Sequence, residues 1–571
     1  MPSKYLRTIL SLLLAVAFLL TACGGAATPT AAPAQPEPTK PPEPTEPPAP
    51  EPTQPPAEAP TAAPATTEGK TLLIAVSGDI AGWDPAASIY WLANEVIINT
   101  HDTLVDYKPG TDDAGNAVRK VGDFAPSLAE SWDVSPDGQK FTFHLIKNAK
   151  FHNGDPLNAQ AVKDSFARIL AIPGLAQFLL ADVAFVKSAD QIVVDDEYTV
   201  TFNLPQPNPI FLKVLQEMNM VIVNAAQIAK EGGEGDAGLQ WAANNPTGTG
   251  PYVLDKFTPG EELVLKADPN YWGAEPEFTT VIYKIVPSAE NRLLLLNNGD
   301  VDMVYEIPLK DFGSLKDNPN ISAYATPTFG NLYMELGRNL PPWDNPKLRQ
   351  AIAYAIPYET IINEVTYGFA KPAPSWVPVG LEGFIPASPY KYDLEKAAAL
   401  LKEAGHEGGK GLPPVTFYLK QGVPEEEQAA VYIQAELAKL GITMDIQPLS
   451  LAAHSEQLQK HELPFTFNFW IPYVPDPVYH LYWNFLTTDS GCCNYTSFSN
   501  ARMDEIIKAG LIELDPAKRD KLVEEAQQIL VEDPPQIALY HPTWNLAMKS
   551  SIKGYTYYPD TLLRFAQLST K

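Results

Sequence analysis

The side chains that could perform chemistry do not form a catalytic or metal-binding motif in this sequence. Its eight histidines are scattered through 571 residues, with no His-Glu-x-x-His and no Cys-x-x-Cys sequence. No nucleophile is paired with a base in a recognisable arrangement. The sequence therefore predicts a protein that is not an enzyme and that needs no cofactor and no structural metal. A nickel ion bound by distant histidines stays open.

Cys23 is the first of three cysteines and ends a segment with the pattern of a secretory signal. Two basic residues precede an apolar run at 9–20, which is too short to cross a bilayer comfortably. Leu-Thr-Ala-Cys at 20–23 resembles a bacterial lipobox, in which the cysteine is acylated with diacylglycerol and becomes the mature N-terminus. We predict a signal peptide at 1–22 and an extracytoplasmic protein anchored to the cell membrane by this lipid. An ordinary cleavage site beside an incidental cysteine is the alternative.

Residues 28–68 consist mainly of Pro, Thr, Ala and Glu and show no apolar period. They hold 15 of the chain's 56 prolines, and such a composition cannot bury a core. We therefore predict that 23–69 is a disordered tether, extended and rich in polyproline II conformation, that spaces the globular part from the membrane.

The chain is strongly acidic, with a formal net charge of −27. Removal of a signal peptide that carries Lys4 and Arg7 makes the remainder still more acidic. Such a surface repels nucleic acid and favours solubility. We expect a monomer with no nucleic-acid partner.

Cys492 and Cys493 are adjacent in the sequence. In an oxidising compartment they can form a vicinal disulfide, which requires a strained peptide geometry, and free thiols are the alternative. Nothing nearby resembles a redox motif. We therefore predict a disulfide with no catalytic role.

The segment 126–170 predicts a strand followed by a helix. Phe141, Phe143 and Leu145 alternate with polar residues, which is the period of a half-buried strand. After a turn, Asn158 is placed to cap an amphipathic helix.

The same segment resembles the signature of the extracellular solute-binding proteins of family 5, the peptide- and nickel-type receptors of ABC importers. That signature contains Pro-x-Leu-Ala-x-Ser-Trp, an aromatic strand that ends in a basic residue, and Phe-His-[Asp/Asn]-Gly-x-Pro-Leu. Here these are found at 126–132, 141–147 and 151–157. Asn-Pro-Thr-Gly-Thr-Gly-Pro-Tyr at 245–252 is a second match. The resemblance covers nearly everything after Lys70.

The resemblance implies an α/β protein with a two-lobed fold of the periplasmic-binding-protein type and a ligand cleft between the lobes. The expected parts are lobe I at 70–112, 246–328 and 541–571, a subdomain inserted in lobe I at 113–245, and lobe II at 329–540. Such a receptor closes on a small ligand and presents it to an ABC permease in the membrane. A sensory or wall-associated binding module without a permease is the alternative.

Periodicity adds two local expectations. Apolar alternation at 415–420 and 442–446, around an amphipathic helix at 425–440, predicts a parallel βαβ unit. The segment 110–122 is polar and is expected to be a loop.

The segment 470–477 departs from the family pattern in an informative way. Peptide-binding relatives carry Trp-x-x-Asp-x-x-[Asp/Glu]-Pro, and their first Asp binds the peptide's α-ammonium. This chain has Trp-Ile-Pro-Tyr-Val-Pro-Asp-Pro, so Tyr473 replaces that Asp and lacks its charge. We expect a ligand recognised by stacking and hydrogen bonds, either an oligosaccharide or a peptide held through its backbone. If a carboxylate does bind an ammonium group, Glu335 and Asp476 are the first candidates, although Asp476 fits a structural turn better.

Trp470 and Tyr473 are the main candidates for the ligand pocket. Lys420 lies near the position where dipeptide-binding relatives place an arginine for the ligand carboxylate, and an exposed lysine is the alternative. Three further tryptophans are candidates that fit a core position equally well, namely Trp83, Trp241 and Trp376.

Overall fold

The computed structural model describes residues 69–80, 82–112, 115–233, 235–487 and 493–571. Residues 69–571 form one compact unit. The predictions of a signal peptide, a lipid on Cys23 and a tether fall on residues outside the described ones.

The described strands are β1 (Lys70–Val76), β2 (Val105–Thr111), β3 (Ala117–Pro126), β4 (Ala129–Val134), β5 (Lys140–Leu145), β6 (Ile192–Asp196), β7 (Thr199–Asn203), β8 (Tyr252–Thr258), β9 (Glu262–Ala267), β10 (Phe278–Ile285), β11 (Met303–Tyr305), β12 (Ile321–Pro327), β13 (Asn331–Glu335), β14 (Lys371–Pro372), β15 (Val415–Lys420), β16 (Met444–Leu449), β17 (Phe467–Trp470), β18 (Gln536–His541) and β19 (Thr543–Lys549).

The described α-helices are α1 (Trp91–Thr100), α2 (Ala159–Ala171), α3 (Leu175–Phe178), α4 (Phe211–Leu215), α5 (Ala225–Gly232), α6 (Leu239–Ala242), α7 (Ala289–Asn298), α8 (Leu309–Leu315), α9 (Pro346–Ala355), α10 (Tyr358–Thr360), α11 (Leu394–Glu403), α12 (Pro424–Lys439), α13 (Leu451–Gln459), α14 (Pro477–Phe485), α15 (Ala501–Gly510) and α16 (Pro516–Glu532). Shorter turns include a π-turn at Leu179–Val183 and a 3-10 turn at Met218–Met220.

The first sheet has seven strands in the order β12-β19-β11-β1-β10-β9-β8. β1 lies at its centre, parallel to both β10 and β11, and the outer pairs are antiparallel. Leu72, Ile74 and Val76 pack into a core on one face, and Ala75 packs into a smaller core on the other, because successive strand residues point to opposite faces. The strands come from three separate stretches of chain, the same three from which we expect lobe I.

The second sheet has the order β14-β18-β13-β17. β15 and β16 pair in parallel around α12, so the predicted βαβ unit is confirmed. A parallel bridge between Tyr418 and Thr466 places β15 beside β17. The C-terminal ends of β15 and β17 therefore lie at the same end of this sheet.

The third sheet has the order β4-β5-β7-β6 and carries the strand and helix predicted at 126–170. Phe141, Phe143 and Leu145 are buried on β5, and the side chain of Asn158 accepts a hydrogen bond from Ala161 N at the start of α2. Both predictions are confirmed. The expected loop at 110–122 is wrong, because β2 and β3 pair as an antiparallel hairpin there.

Two large apolar cores result from these sheets. One surrounds the first sheet, and the other runs continuously from the third sheet into the second.

No single described helix is long and apolar enough to cross a membrane. The bent pair Ala159–Ala171 and Leu175–Val183 passes that test by length and composition alone.

Candidate ligand-binding site

An aromatic wall begins at the end of β17. Trp470 lies opposite Asn331 of β13 and is half-buried. Its ring centroid lies 5.7 Å from that of Trp483, which in turn lies 4.7 Å from the ring of Phe178. Phe178 comes from the region of the third sheet, so the wall joins two distant parts of the chain. The buried indole N–H of Trp470 has no hydrogen-bond acceptor among the described residues, which leaves a donor for a ligand.

Tyr473 lies where the two large cores meet. Its ring packs against the core of the first sheet and against the core shared by the other two sheets. Burial raises the pKa of its phenol, and the nearby charge of Glu217 raises that pKa further. Tyr473 is therefore a neutral hydrogen-bonding group at the place where the two large apolar cores meet.

Asp476 is bound within the protein and is fully buried. Its carboxylate caps α14 by accepting from Val478 N at 3.0 Å and Tyr479 N at 3.1 Å. It also accepts from the Arg519 guanidinium at 2.5 and 2.8 Å and from Lys213 Nζ at 3.2 Å. Burial alone would raise the pKa of this carboxyl, but Arg519 and Lys213 hold it well below its usual range. Because its hydrogen-bonding capacity is used, Asp476 is structural and not a ligand anchor.

Lys420 lies at the same sheet end as Trp470, but Glu426 Oε1 is 2.8 Å from its ammonium group. That pairing neutralises the charge proposed for a ligand carboxylate. Beside the pair is a cavity of about 340 Å³ whose lining includes Leu332, Glu425, Glu426, Phe469 and Tyr540. Phe469 and Trp470 are consecutive strand residues and point to opposite faces, so this cavity is on the other side of β17 from the aromatic wall.

The three further tryptophans are held by packing contacts of their own. Trp376 is 2% exposed, and its indole N–H donates to Gln536 O at 3.0 Å. Trp83 is 1% exposed and packs edge-to-face against Phe257 at 4.9 Å. Trp241 is half-buried against a small apolar cluster of Val223, Ile228 and Ala242. These contacts favour a packing role, and a ligand-binding role for the three tryptophans stays a prediction.

The family is decided by comparison with known proteins. The model of bacterial extracellular solute-binding proteins, family 5 middle, matches residues 123–492, which is more than half of the chain. The chain belongs to that family. The probable D,D-dipeptide-binding periplasmic protein of Escherichia coli K12 is 30% identical over 491 residues, covering 86% of this chain and 92% of that protein.

Two solved structures are similar in fold and sequence to this family 5 protein. The Helicobacter pylori ABC transporter-associated periplasmic binding protein, in complex with the peptide STSA, is 26% identical with a TM-score of 0.72 and covers 88% of this chain and 98% of its own. The periplasmic binding protein of A. tumefaciens R10 in complex with agropinic acid is 26% identical with a TM-score of 0.69 and covers 88% of this chain and 99% of its own.

The predicted fold class is confirmed, since the family 5 chain is an α/β protein with the two-lobed fold of periplasmic binding proteins. The family and its named relatives are binding proteins. The described residues contain no group of three or more His, Cys, Asp or Glu side chains placed to hold a metal ion.

Several buried polar groups near Tyr473 were not singled out by sequence reasoning. They are the side chains of Tyr107, Gln216, Glu217 and Asn219, each with an oxygen that has no hydrogen-bond partner among the described residues. Gln216, Glu217 and Asn219 lie between the end of a short helix and a 3-10 turn, and Tyr107 lies on β2. Neither segment contains a sequence motif that marks a binding site. Only their burial and their lack of partners identify them.

Two other predicted features have a definite place. Cys493 is disulfide-bonded, whereas Cys492, its predicted partner, lies outside the described residues, so the vicinal pair stays a prediction.

Glu335 is buried on β13 beside the side-chain amide of Asn468, and burial raises its pKa to about 8. Glu335 is four residues along β13 from Asn331, the partner of Trp470, which is roughly 13 Å at the usual rise of a strand. It is therefore too far from the aromatic wall to serve as its anchor.

Proposed function

We propose that this protein is the extracytoplasmic ligand-binding subunit of an ABC importer, which captures a peptide or peptide-like solute between its lobes and delivers it to a membrane permease. The observation that carries the proposal is the position of Tyr473, in contact with both large cores. A ligand held at this junction contacts both bodies at once, so it stabilises the closed arrangement over the open one.

The chemistry of the junction supports a ligand with both apolar and polar surface. The rings of Trp470, Trp483 and Phe178 supply a flat apolar wall, while the indole N–H of Trp470 and the phenol of Tyr107 supply groups without partners among the described residues. Aromatic walls with a few unpartnered polar groups are typical of small-molecule sites. The relative in complex with agropinic acid keeps a non-peptide ligand as the second candidate. An oligosaccharide ligand and a module without a permease are the further alternatives.

Peptide binding is the direct test. The purified protein should bind the tetrapeptide STSA, D-Ala-D-Ala or a peptide in a tryptic digest of bacterial protein, measured by calorimetry and by native mass spectrometry of whatever co-purifies. Failure of every peptide to bind, together with a co-purifying sugar or opine, would exclude peptide capture and favour the non-peptide alternative.

The protein is further proposed to be anchored through a lipid on Cys23, as a monomer. Intact-mass analysis of full-length protein extracted from membranes should show the diacylglycerol adduct, because the lipobox-like segment follows a short apolar run. Cys23→Ser should lose the adduct and move to the soluble fraction. If wild-type protein is fully soluble and Cys23→Ser has the same location, the anchor does not exist.

A further inference from the structure

Glu217 is a buried carboxyl group without a hydrogen-bond partner among the described residues. Its side chain is 1% exposed, and neither of its oxygens accepts a hydrogen bond from the described residues. Burying such a group without compensation is unfavourable, so a protein keeps one only where something else offsets the cost. The same fold contains a useful contrast in Glu95, which is also fully buried. Glu95 accepts from the Tyr283 and Tyr305 hydroxyls at 2.8 and 3.1 Å and from Leu563 N at 3.1 Å.

The groups beside Glu217 offer acceptors and few donors. The amide nitrogen of Gln216 donates to Asp106 O at 3.0 Å, and that of Asn219 donates to Pro85 O at 2.7 Å. The side-chain oxygens of both amides have no partner among the described residues. Gln216, Glu217 and Asn219 thus each have a side-chain oxygen that accepts no hydrogen bond from the described residues. Such a surface suits a group that carries several N–H donors.

The cations near this segment are already bound elsewhere. Lys213 Nζ lies 2.8 Å from Glu382 and 3.2 Å from Asp476, and the Arg564 guanidinium forms an ion pair with Asp560 at 2.6 Å. Neither cation is free to turn toward Glu217 without abandoning its own partner. Without such a cation, burial raises the pKa of Glu217 well above its usual range, and a positively charged group on a ligand would let the carboxyl ionise.

Glu217 also lies beside the aromatic loop. Its backbone N–H donates to Val214 O, which ties Glu217 to the end of α4. Lys213, four residues earlier, reaches Asp476 at the end of that loop. A negative charge on Glu217 raises the pKa of Tyr473 in that loop and of Tyr479 just after it.

We propose that Glu217 is the counter-charge for a protonated amine of the ligand in the site described under the proposed function, on which this inference rests. The ligand class is then narrowed to molecules with a primary ammonium group near an apolar surface, such as peptides with a free amino terminus. The replacement of an Asp by Tyr473 alone led us to expect no charged anchor for a ligand ammonium group. The present proposal reverses that expectation, because Glu217 supplies the negative charge that the loop at 470–477 lacks.

The test is a thermodynamic cycle in which the peptide is N-acetylated and Glu217 is replaced, first separately and then together. Calorimetry would compare STSA and D-Ala-D-Ala with their N-acetylated forms, on wild-type protein and on Glu217→Gln. Charge-assisted hydrogen bonds are roughly twice as strong as neutral ones, so acetylation should weaken wild-type binding about 10- to 100-fold. Glu217→Gln should lose a similar factor for the free peptide, and acetylation should cost it nothing further, because the two changes remove the same interaction.

A second variant separates a ligand role from a structural one. Glu217→Met should raise the melting temperature of the unliganded protein, because it removes an unpartnered buried carboxylate and keeps a similar volume. Glu95→Gln, the matched control, should lower the melting temperature and leave the effect of acetylation intact. Glu217→Met with a lowered melting temperature and an unchanged effect of acetylation would assign Glu217 a structural role.

Two other results are distinguishable. If free and acetylated peptides bind wild-type protein equally, or if Glu217→Gln keeps the difference between them, the inference is wrong while peptide capture stands. If no peptide binds the wild-type protein, the proposed function fails and the inference fails with it.

Discussion

Asp476→Asn is expected to lower the free energy of unfolding by about 3–5 kcal/mol, the usual cost of breaking a buried ion pair by removing one partner. The wild-type carboxylate is fully buried and accepts hydrogen bonds from Arg519 and Lys213. The amide has no negative charge to balance these two cations and offers one oxygen in place of two. Lys213 and Asp476 are 263 residues apart, so the loss also loosens the contact between distant segments.

Urea denaturation of the two proteins measures this difference. Glu456→Gln is a suitable control, since it breaks the pair with Lys460 at 2.6 Å on an exposed helix surface, and such pairs contribute little because water screens them. A variant at Asp476 that unfolds at the same urea concentration as the control would mean that the buried network carries no stability.

The same variant should change the response to acid. Since the pKa of Asp476 is held below its usual range in the folded protein, its contribution is fully present above the unfolded pKa of about 3.9 and is lost as the pH falls toward the folded value. The difference in unfolding free energy between wild type and Asp476→Asn should therefore shrink on acidification below about pH 4. A difference that grows on acidification would contradict this sign.

The sequence pattern predicted a strand or helix correctly where one face of that element is buried. Phe141, Phe143 and Leu145 predicted β5 because alternation and burial coincide there. The hairpin of β2 and β3 was missed for the opposite reason. β3 has no buried residue, and its positions are only half-buried or exposed. Its sequence therefore lacks the alternation of apolar and polar residues by which a strand is predicted. Its register is set by pairing with β2, which a single strand does not encode.

The candidate site was predictable only in part. The family motif located the loop at Trp470 and Tyr473, and it also gave the replacement of an acidic residue by Tyr473. Glu217 is more than 250 residues from that loop, in a segment whose polar side chains are usually found on the surface. Whether such a carboxylate is solvated, paired as Glu95 is, or left without a partner depends on what folds over it. That information exists only in the assembled cores.

The sequence alone does not show which tryptophans are buried in a core and which line a ligand site. Substituting Trp470 and Trp376 in turn therefore tests where the site lies. Trp470→Ala is expected to weaken peptide binding at least about tenfold, since it removes both the buried area of the indole and its stacking surface. Its effect on stability should be small, because the ring is only half-buried and packs on one side against Trp483.

Trp376→Ala should show the opposite pattern. Removing a fully packed indole from a core lowers the free energy of unfolding by about 3–5 kcal/mol, and the loss of its hydrogen bond to Gln536 O adds to that cost. Binding by the folded protein should stay unchanged, because the indole of Trp376 is buried in the core and donates its N–H to Gln536 O instead of offering it to a ligand. Calorimetry with the peptide that binds wild type best, and urea denaturation of both variants, would measure the two effects independently. A Trp376→Ala protein that folds stably but loses ligand, beside a Trp470→Ala protein that binds normally, would move the site to the core beside the second sheet. It would also require another function for the unpartnered indole N–H of Trp470, since the loop would then expose a hydrogen-bond donor and an aromatic face that no ligand uses.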